Sequence, residues 1–370
     1  MNRILKNIRF DKPLMILISI LIILGVMIFL SAALGILPNN ELKFFSIIKS
    51  QMLYIFIFGS LALFLGSKIN YKYYKKYAIL IFILTYIFTL SVFIPGLQFY
   101  YNGAYRWVHI FGLSIQPSEL LKFGSFVFRS FFCTKYNKYL KNIKIGLLSF
   151  LIFSIVVASA LLAQPDFGTL VIILMPVFII YFVSGVKWRD ILIIILSGAL
   201  LFLALVEMRP YMKERLLTYK NPDRESLGAG YQLNQSLIAI GSGGLAGRGI
   251  GQSIQKFNYL PEQISDSIFA VYAEEVGFIG SIILLLLFLS IIIRGIHISK
   301  MAEDTFGRLL SIGIIATFFF QTILNIASAI GIAPVSGVPL PLISKGGTSF
   351  VFLMFEFGVL LNISKYKIKI

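Results

Sequence analysis

The chain has 370 residues, 58% of them hydrophobic and only 13% charged, with a mean hydropathy of +0.88. A soluble globular chain is about 45–50% apolar and about 25% charged, so disorder, a collagen-like fibre and a disulfide-stapled secreted scaffold are all excluded. The net charge of +17 comes from 33 Lys and Arg against 16 Asp and Glu. Because the basic residues sit in short loops between apolar runs, they read as topology signals and anionic-lipid contacts, not as a nucleic-acid surface. A lone cysteine, Cys133, precludes an internal disulfide, and with only two histidines no zinc site is expected.

A helix needs roughly 20 apolar residues to cross a bilayer. Ten runs qualify as spans: Pro13–Leu34, Phe44–Gly66, Tyr77–Ile94, Pro117–Phe132, Ile145–Leu162, Gly168–Ser184, Asp190–Val206, Ile268–Ile293, Phe306–Ile330 and Gly346–Ile363. The fourth is short and carries charges. The first is too long in its apolar part for a cleaved signal peptide. The expected fold is therefore an all-α polytopic membrane domain over residues 1–370. Counting Lys and Arg on alternate sides gives 21 against 3 in the short loops, with Arg129 among the 21. The positive-inside rule then puts both termini in the cytoplasm. One long loop, 207–267, between the seventh and eighth spans is expected to face out, and a loop of that length usually serves a function.

Polar residues at membrane depth are costly and mark candidate sites. Gln116-Pro117-Ser118-Glu119 opens the fourth span, and Glu119 and Lys122 share one helical face; they either tie helices together or face a substrate. Asp166 in Gln164-Pro165-Asp166 either caps the sixth helix or belongs to a site. The stretch Gly241–Gly251 lacks both the dinucleotide and the Walker pattern, which leaves a flexible outer loop whose backbone can approach a ligand. Asp266, where loop becomes helix, is either a cap or a partly desolvated general base. Three prolines and several glycines between Pro334 and Gly347 break the backbone at membrane depth, which is tolerated only inside protein or beside a wet cavity. Arg106, Glu119, Lys122, Asp166, Asp266 and Lys345 all fall at the outer ends of spans. That favours chemistry at one surface on a membrane-anchored molecule, and the cations beside acids suit a diphosphate leaving group. A transporter would need polar groups through to the inner leaflet; Lys49 and Glu356 are the other charges clearly inside spans.

Taken in order, Arg106-Trp107, Gln116-Pro117-Ser118-Glu119 with Lys122, Gln164–Thr169, Gly241–Gly251, Leu260-Pro261-Glu262 with Asp266, Ala273-Glu274-Glu275 and the stretch Asn325–Ser349 resemble the SEDS family of FtsW, RodA and SpoVE, over nearly the whole chain. Asp11-Lys12 and the run Gln252–Tyr259 look closer to FtsW than to RodA. The resemblance implies a peptidoglycan glycosyltransferase of the bacterial cytoplasmic membrane, active on its extracytoplasmic face. Such an enzyme joins lipid II units by β-1,4 bonds and releases undecaprenyl diphosphate, in division or, in a RodA-like role, in elongation; a lipid II flippase is the rival.

By the same resemblance Asp266 is the catalytic aspartate. Arg106, Gln116, Ser118, Glu119, Lys122, Asp166, Glu262 and Lys345 are then substrate-binding. An inverting displacement needs one base and no carboxylate nucleophile, unlike a retaining glycosidase. A divalent cation, Mg or Mn, is a candidate helper with no definite ligand set, and no organic cofactor is implied. The partners implied are a class B penicillin-binding protein and membrane lipid. Two departures stand out: Ile264-Ser265-Asp266-Ser267 where the family has His-Thr-Asp-Phe, and Ser344-Lys345-Gly346-Gly347 where it has Ser-Tyr-Gly-Gly.

Overall fold

Each of the ten apolar runs is helical in the computed structural model, which describes residues 10–101, 104–110, 113–208, 210–220 and 228–366. The basic residues Arg3, Lys6, Arg9, Lys367 and Lys369 that entered the charge count lie outside the described residues. Helix α1 (Lys12–Ala33) starts where Asp11 accepts the Leu14 N–H and Pro13 occupies the first turn, a position whose N–H would have been unpaired. Helix α2 (Glu41–Leu53) runs through one π turn (Tyr54–Gly59) into α3 (Ser60–Lys68), making a single span. A short α4 (Tyr71–Lys76) and α5 (Ala78–Leu90) follow.

The helical fold expected is the one found, with one small interruption between α5 and the next span. There Gln98–Tyr101 (β1), Ala104–Ile110 (β2) and Leu113–Ile115 (β3) form a three-stranded antiparallel sheet in the order β1-β2-β3. Phe99, Tyr100, Tyr101, Trp107, Val108 and Ile110 are aromatic or β-branched, the residue types a pleated, half-buried surface favours.

Helix α6 (Pro117–Lys135), the span whose composition looked weakest, is the most enclosed of the early helices and packs against α5, α8, α13 and α14. Its Ser, Glu, Lys and Arg face other helices instead of lipid, which is why it lacks the apolar signature of a span. Arg129 is accordingly not a loop cation. It is buried in α6, its guanidinium 5.1, 5.4 and 5.0 Å from the rings of Phe132, Phe150 and Tyr181. Helices α7 (Leu147–Ala163), α8 (Phe167–Val183) and α9 (Trp188–Met208) come next, α9 standing at the edge with most of its apolar surface outward.

The long loop is not an open one. It contains α10 (Pro210–Lys220) and α11 (Ala229–Ser242), and its remaining described residues fold onto the next span. That span, α12 (Ile268–Met301), leaves helical geometry at Gly277 (φ 71°, ψ −166°). The glycine-rich stretch repairs the break. Arg248 and Gly249 donate their backbone N–H groups to the carbonyls of Glu274 and Glu275, and Phe278 and Ile279 donate to the carbonyls of Gly244 and Leu245. Gly247, at φ 81°, comes so close that a Cβ would strike the Glu275 carbonyl. Gly243 and Gly247 therefore admit a neighbouring backbone. Helices α13 (Thr305–Ala329) and α14 (Gly347–Lys365) form the core against α6 and α12.

Helices α3 and α14 share the most extensive interhelical contact among the described residues. Gly66 and Gly358 face each other there, and a Cβ at either would strike a backbone carbonyl, of Phe355 or of Leu63. Backbone cannot yield as a flexible side chain can. Gly358→Leu is expected to lower stability by about 1–3 kcal/mol, measured as a fall in the thermal unfolding midpoint of the detergent-solubilised protein. An unchanged midpoint would show that this contact does not hold the span in place.

Candidate active site

Asp266 sits in a tight run of turns leading into α12. The N–H groups of Ser265 and Ser267 both donate to the Glu262 carbonyl, at 3.0 and 3.1 Å. Ser267, not Asp266, is the cap residue of α12, and no side chain accepts a capping hydrogen bond there. The Asp266 carboxylate is thus not spent on holding the helix. Its backbone is held instead. Asn325 in α13 donates one Nδ2 hydrogen to the Asp266 carbonyl at 2.9 Å and the other to the Val338 carbonyl at 2.8 Å. Ser344 Oγ donates to the Ser265 carbonyl at 2.5 Å and Lys345 N to the Ile264 carbonyl at 2.7 Å.

The side chain lines a small cleft, open to solvent, together with Gln232, Ser236, Asn325, Ser336 and Gly337. Gly337, at φ 71°, lies against the carboxylate, so that an added Cβ would stand 3.8 Å from Oδ2. Burial, then the neighbouring charge of Glu262, push the Asp266 carboxyl up to about 6, while Arg215 in α10 pulls the other way. An acid so placed is ionised at neutral pH yet basic enough to take a proton. The Lys345 ammonium is lowered by burial, supported by Glu262 and opposed by Lys43. Glu262 is exposed and accepts a 2.5 Å hydrogen bond from Ser265 Oγ.

A second group lies at the α7–α8 turn. Asp166 caps α8, accepting the Thr169 N–H at 3.2 Å, and also accepts from Gln116 Nε2 at 3.3 Å. The cap is therefore what the geometry shows, with Gln116 as a second partner. Arg106 reaches from β2 to the carbonyls of Gln164 and Pro165, so its guanidinium ties the sheet to this turn. The Pro334–Val338 segment bridges this group to Asp266: a Cβ at Gly168 would come 2.8 Å from the Ser336 carbonyl, and Ser336 lines the Asp266 cleft.

The third group is inside the bundle. Glu119 and Lys122 form a 2.6 Å ion pair with both side chains buried. Glu356 of α14 is fully buried, interacts electrostatically with both, and neither of its oxygens has a hydrogen-bond partner among the described residues. Ser118, one turn before Lys122, is likewise buried with an unpartnered Oγ. These residues do not line the Asp266 cleft.

The structure therefore sorts the sequence-predicted residues into Asp266 with Glu262 and Lys345, Arg106 with Gln116 and Asp166, and Glu119 with Lys122 and Ser118. Sequence reasoning passed over Arg215, Gln232 and Asn325 as site residues. Arg215 and Gln232 lie in the stretch treated as an open loop, where no periodic or motif signal distinguishes them. An amide in an apolar helix was the available signal for Asn325.

The sequence profile of the Cell cycle protein family FTSW_RODA_SPOVE matches residues 12–369. The chain is 35% identical over 356 residues to stage V sporulation protein E of Bacillus subtilis, covering 96% of this chain and 97% of that one. It is 37% identical over 322 residues to a probable peptidoglycan glycosyltransferase FtsW of Buchnera aphidicola, covering 86% and 90%. Among solved structures, a chain of a peptidoglycan synthase complex that coordinates polymerization and crosslinking superposes with a TM-score of 0.78 at 25% identity, covering 96% and 97%. The rod shape determining protein RodA of Thermus thermophilus has the same fold, with a TM-score of 0.70 at 23% identity over 97% and 98% of the two chains. With a profile match and relatives that both span nearly the full length, this multi-pass membrane protein belongs to the FtsW/RodA/SpoVE family.

Proposed function

We propose that the chain is a peptidoglycan glycosyltransferase that polymerises lipid II, with Asp266 as its general base. The observation that carries this reading is a carboxylate unspent on capping, raised to about 6, that lines a cleft and feels the charge of Arg215. Asp266 takes the proton of the acceptor sugar 4-hydroxyl as its oxygen attacks C1 of the α-linked donor from the opposite side. The O4–C1 bond forms, the C1–O bond to phosphate breaks, and the undecaprenyl diphosphate departs with the electron pair, leaving a β-1,4 link. Lys345 and Arg215 suit the growing charge on that leaving group.

A Mg²⁺ or Mn²⁺ ion held mainly by substrate phosphates needs only one or two protein carboxylates. Glu262, exposed beside Asp266, fits that place, and the ion would supply further charge neutralisation to the diphosphate. Among the described residues no group of three His, Cys, Asp or Glu side chains could hold a metal ion unaided.

The positive-inside bias of the basic loops supports a topology with both termini in the cytoplasm and Asp266 on the extracytoplasmic side of the bacterial cytoplasmic membrane. The likeness to FtsW relatives supports a role in division, with a class B penicillin-binding protein as partner. A second reading, translocation of the same lipid, draws on α6. There Ser118, Lys122, Ser125 and Arg129 recur at helical spacing, all buried, so polar groups extend further along the span than the sequence reading allowed. Reconstituted vesicles separate the two: a glycosyltransferase converts fluorescent lipid II to glycan ladders on a gel, a translocator only moves it.

Asp266→Asn removes the base at nearly constant volume. Turnover of fluorescent lipid II is expected to fall by about 10²–10⁴-fold in protein that still elutes as a folded monodisperse species; ladders at the parental rate would overturn the assignment. Since the ionised carboxylate is the active form and titrates near 6, kcat/KM should be flat above pH 7 and fall about tenfold per pH unit on the acid side. An acid limb centred near 4 would mean that Asp266 is not the titrating group. Lys345→Met is expected to cost about tenfold or more in kcat/KM through lost leaving-group stabilisation, read from ladder yield at low substrate.

A further inference from the structure

The motif Ala273-Glu274-Glu275 takes no part in the chemistry above, yet both carboxylates are buried and engaged. Because helical geometry stops at Gly277, Ile268–Val276 is a separate half-helix with Asp266 just before its start and the two glutamates near its end. A helix that short does not hold its shape or angle in isolation. Its front end is gripped at Asp266 by Asn325 and at Ser265 by Ser344. Its rear end is gripped by charge. Glu274 accepts from Ser253 Oγ at 2.5 Å and from the N–H groups of Ile254 and Gln255 at 3.1 and 3.2 Å, with Arg248 Nε 3.4 Å away. Glu275 takes Lys256 Nζ at 2.7 Å and Ser31 Oγ of α1 at 2.7 Å, both side chains of the ion pair being buried. Lys256 Nζ donates also to the Gly251 carbonyl at 2.8 Å.

We propose that Glu274 and Glu275, with Arg248, Lys256 and Ser31, are positioning residues for Asp266: a rear anchor that sets the angle of the half-helix against α1. This rests on the reading of Asp266 as the base. At about 1.5 Å per residue the anchor is about 13 Å from Asp266, so a pivot of about 5° displaces the carboxylate by about 1 Å. A displacement of that size can cost about 10²-fold in rate. Ser31 makes α1 part of the device, and the glycines of the 243–251 stretch are small enough to let the anchor close, since a Cβ at Gly243 would strike the Ala273 carbonyl.

Removing one member of a buried ion pair strands the other charge and endangers the fold, whereas neutralising both does not. The test therefore uses full-length protein carrying Lys256→Met together with Glu275→Leu, assayed with its transpeptidase partner on fluorescent lipid II, beside Ser31→Ala and Asp266→Asn. In the double variant kcat should drop about 10–100-fold with KM within about threefold. Its acid limb should move to lower pH, because a carboxylate swung out of its seat gains water and loses the influence of Glu262. Ser31→Ala, which leaves the ion pair in place, should lower kcat about threefold with KM unchanged. Parental kcat and a parental acid limb in a folded double variant would overturn the proposal. If the double variant does not fold, Ser31→Ala decides alone, and unchanged kcat there overturns it. Parental turnover by Asp266→Asn would instead bring down the base itself, while loss in Asp266→Asn with no effect at the anchor would leave the base standing and remove only the anchor.

Discussion

A backbone that breaks inside a membrane protein must find new partners for its N–H and C=O groups, because lipid offers none. The break at Gly277 of α12 imposes that requirement on the whole of this chain's active end. Residues 244–249 answer it by exchanging hydrogen bonds with residues 274–279 on both sides of the break. Much else depends on this exchange. It requires glycine where backbones meet, it folds the stretch between α11 and α12 down onto the bundle, and it frees the first part of α12 to point Asp266 into a cleft.

The charges of the protein follow the same economy. Few of the buried ones stand alone. Asp11 holds Arg294 through both carboxylate oxygens at 2.8 Å, tying the start of α1 to the far end of α12. Glu275 holds Lys256, and Glu119 holds Lys122. Arg129 is enclosed by three aromatic rings, whose faces attract a cation. Glu356, beside the Glu119–Lys122 pair, is the buried carboxylate left with no hydrogen bond among the described residues. Asp266 differs from all of these. It is neither capped nor paired at short range, and it opens to a cleft, which leaves it available to a substrate proton.

Three groups of polar residues near one end of the bundle therefore do different work. Arg106, Gln116 and Asp166 brace the sheet, α6 and the α7–α8 turn, and reach Asp266 only through the Pro334–Val338 segment. Glu119 and Lys122 pair inside the bundle. Asp266 lines the cleft and feels the charges of Glu262 and Arg215, and Glu262 also acts on Lys345. The broken, proline-rich stretch before α14 runs between the Asp166 turn and Asp266, touching the first at Gly168 and lining the cleft of the second.

Composition and apolar run length sufficed to call for a polytopic helical bundle, and each of the ten runs is helical, all but α12 (which runs on to Met301) within about four residues of the expected ends, because the cost of exposing polar groups to lipid is a local property of the chain. The motif order named Asp266 as a candidate base only through the family resemblance, because its position at a span boundary, shared with Asp166, suited a helix cap equally well. What composition could not convey was direction. Whether Glu119, Lys122 and Arg129 face lipid, water or other helices depends on neighbours that are distant in sequence, so α6 looked doubtful as a span and Arg129 looked like a loop cation. The small sheet, the two helices within residues 207–267 and the closeness of Arg215 and Asn325 to Asp266 were likewise decided by long-range contacts. Hydropathy and helical period describe one segment against its solvent; only the folded chain sets one segment against another.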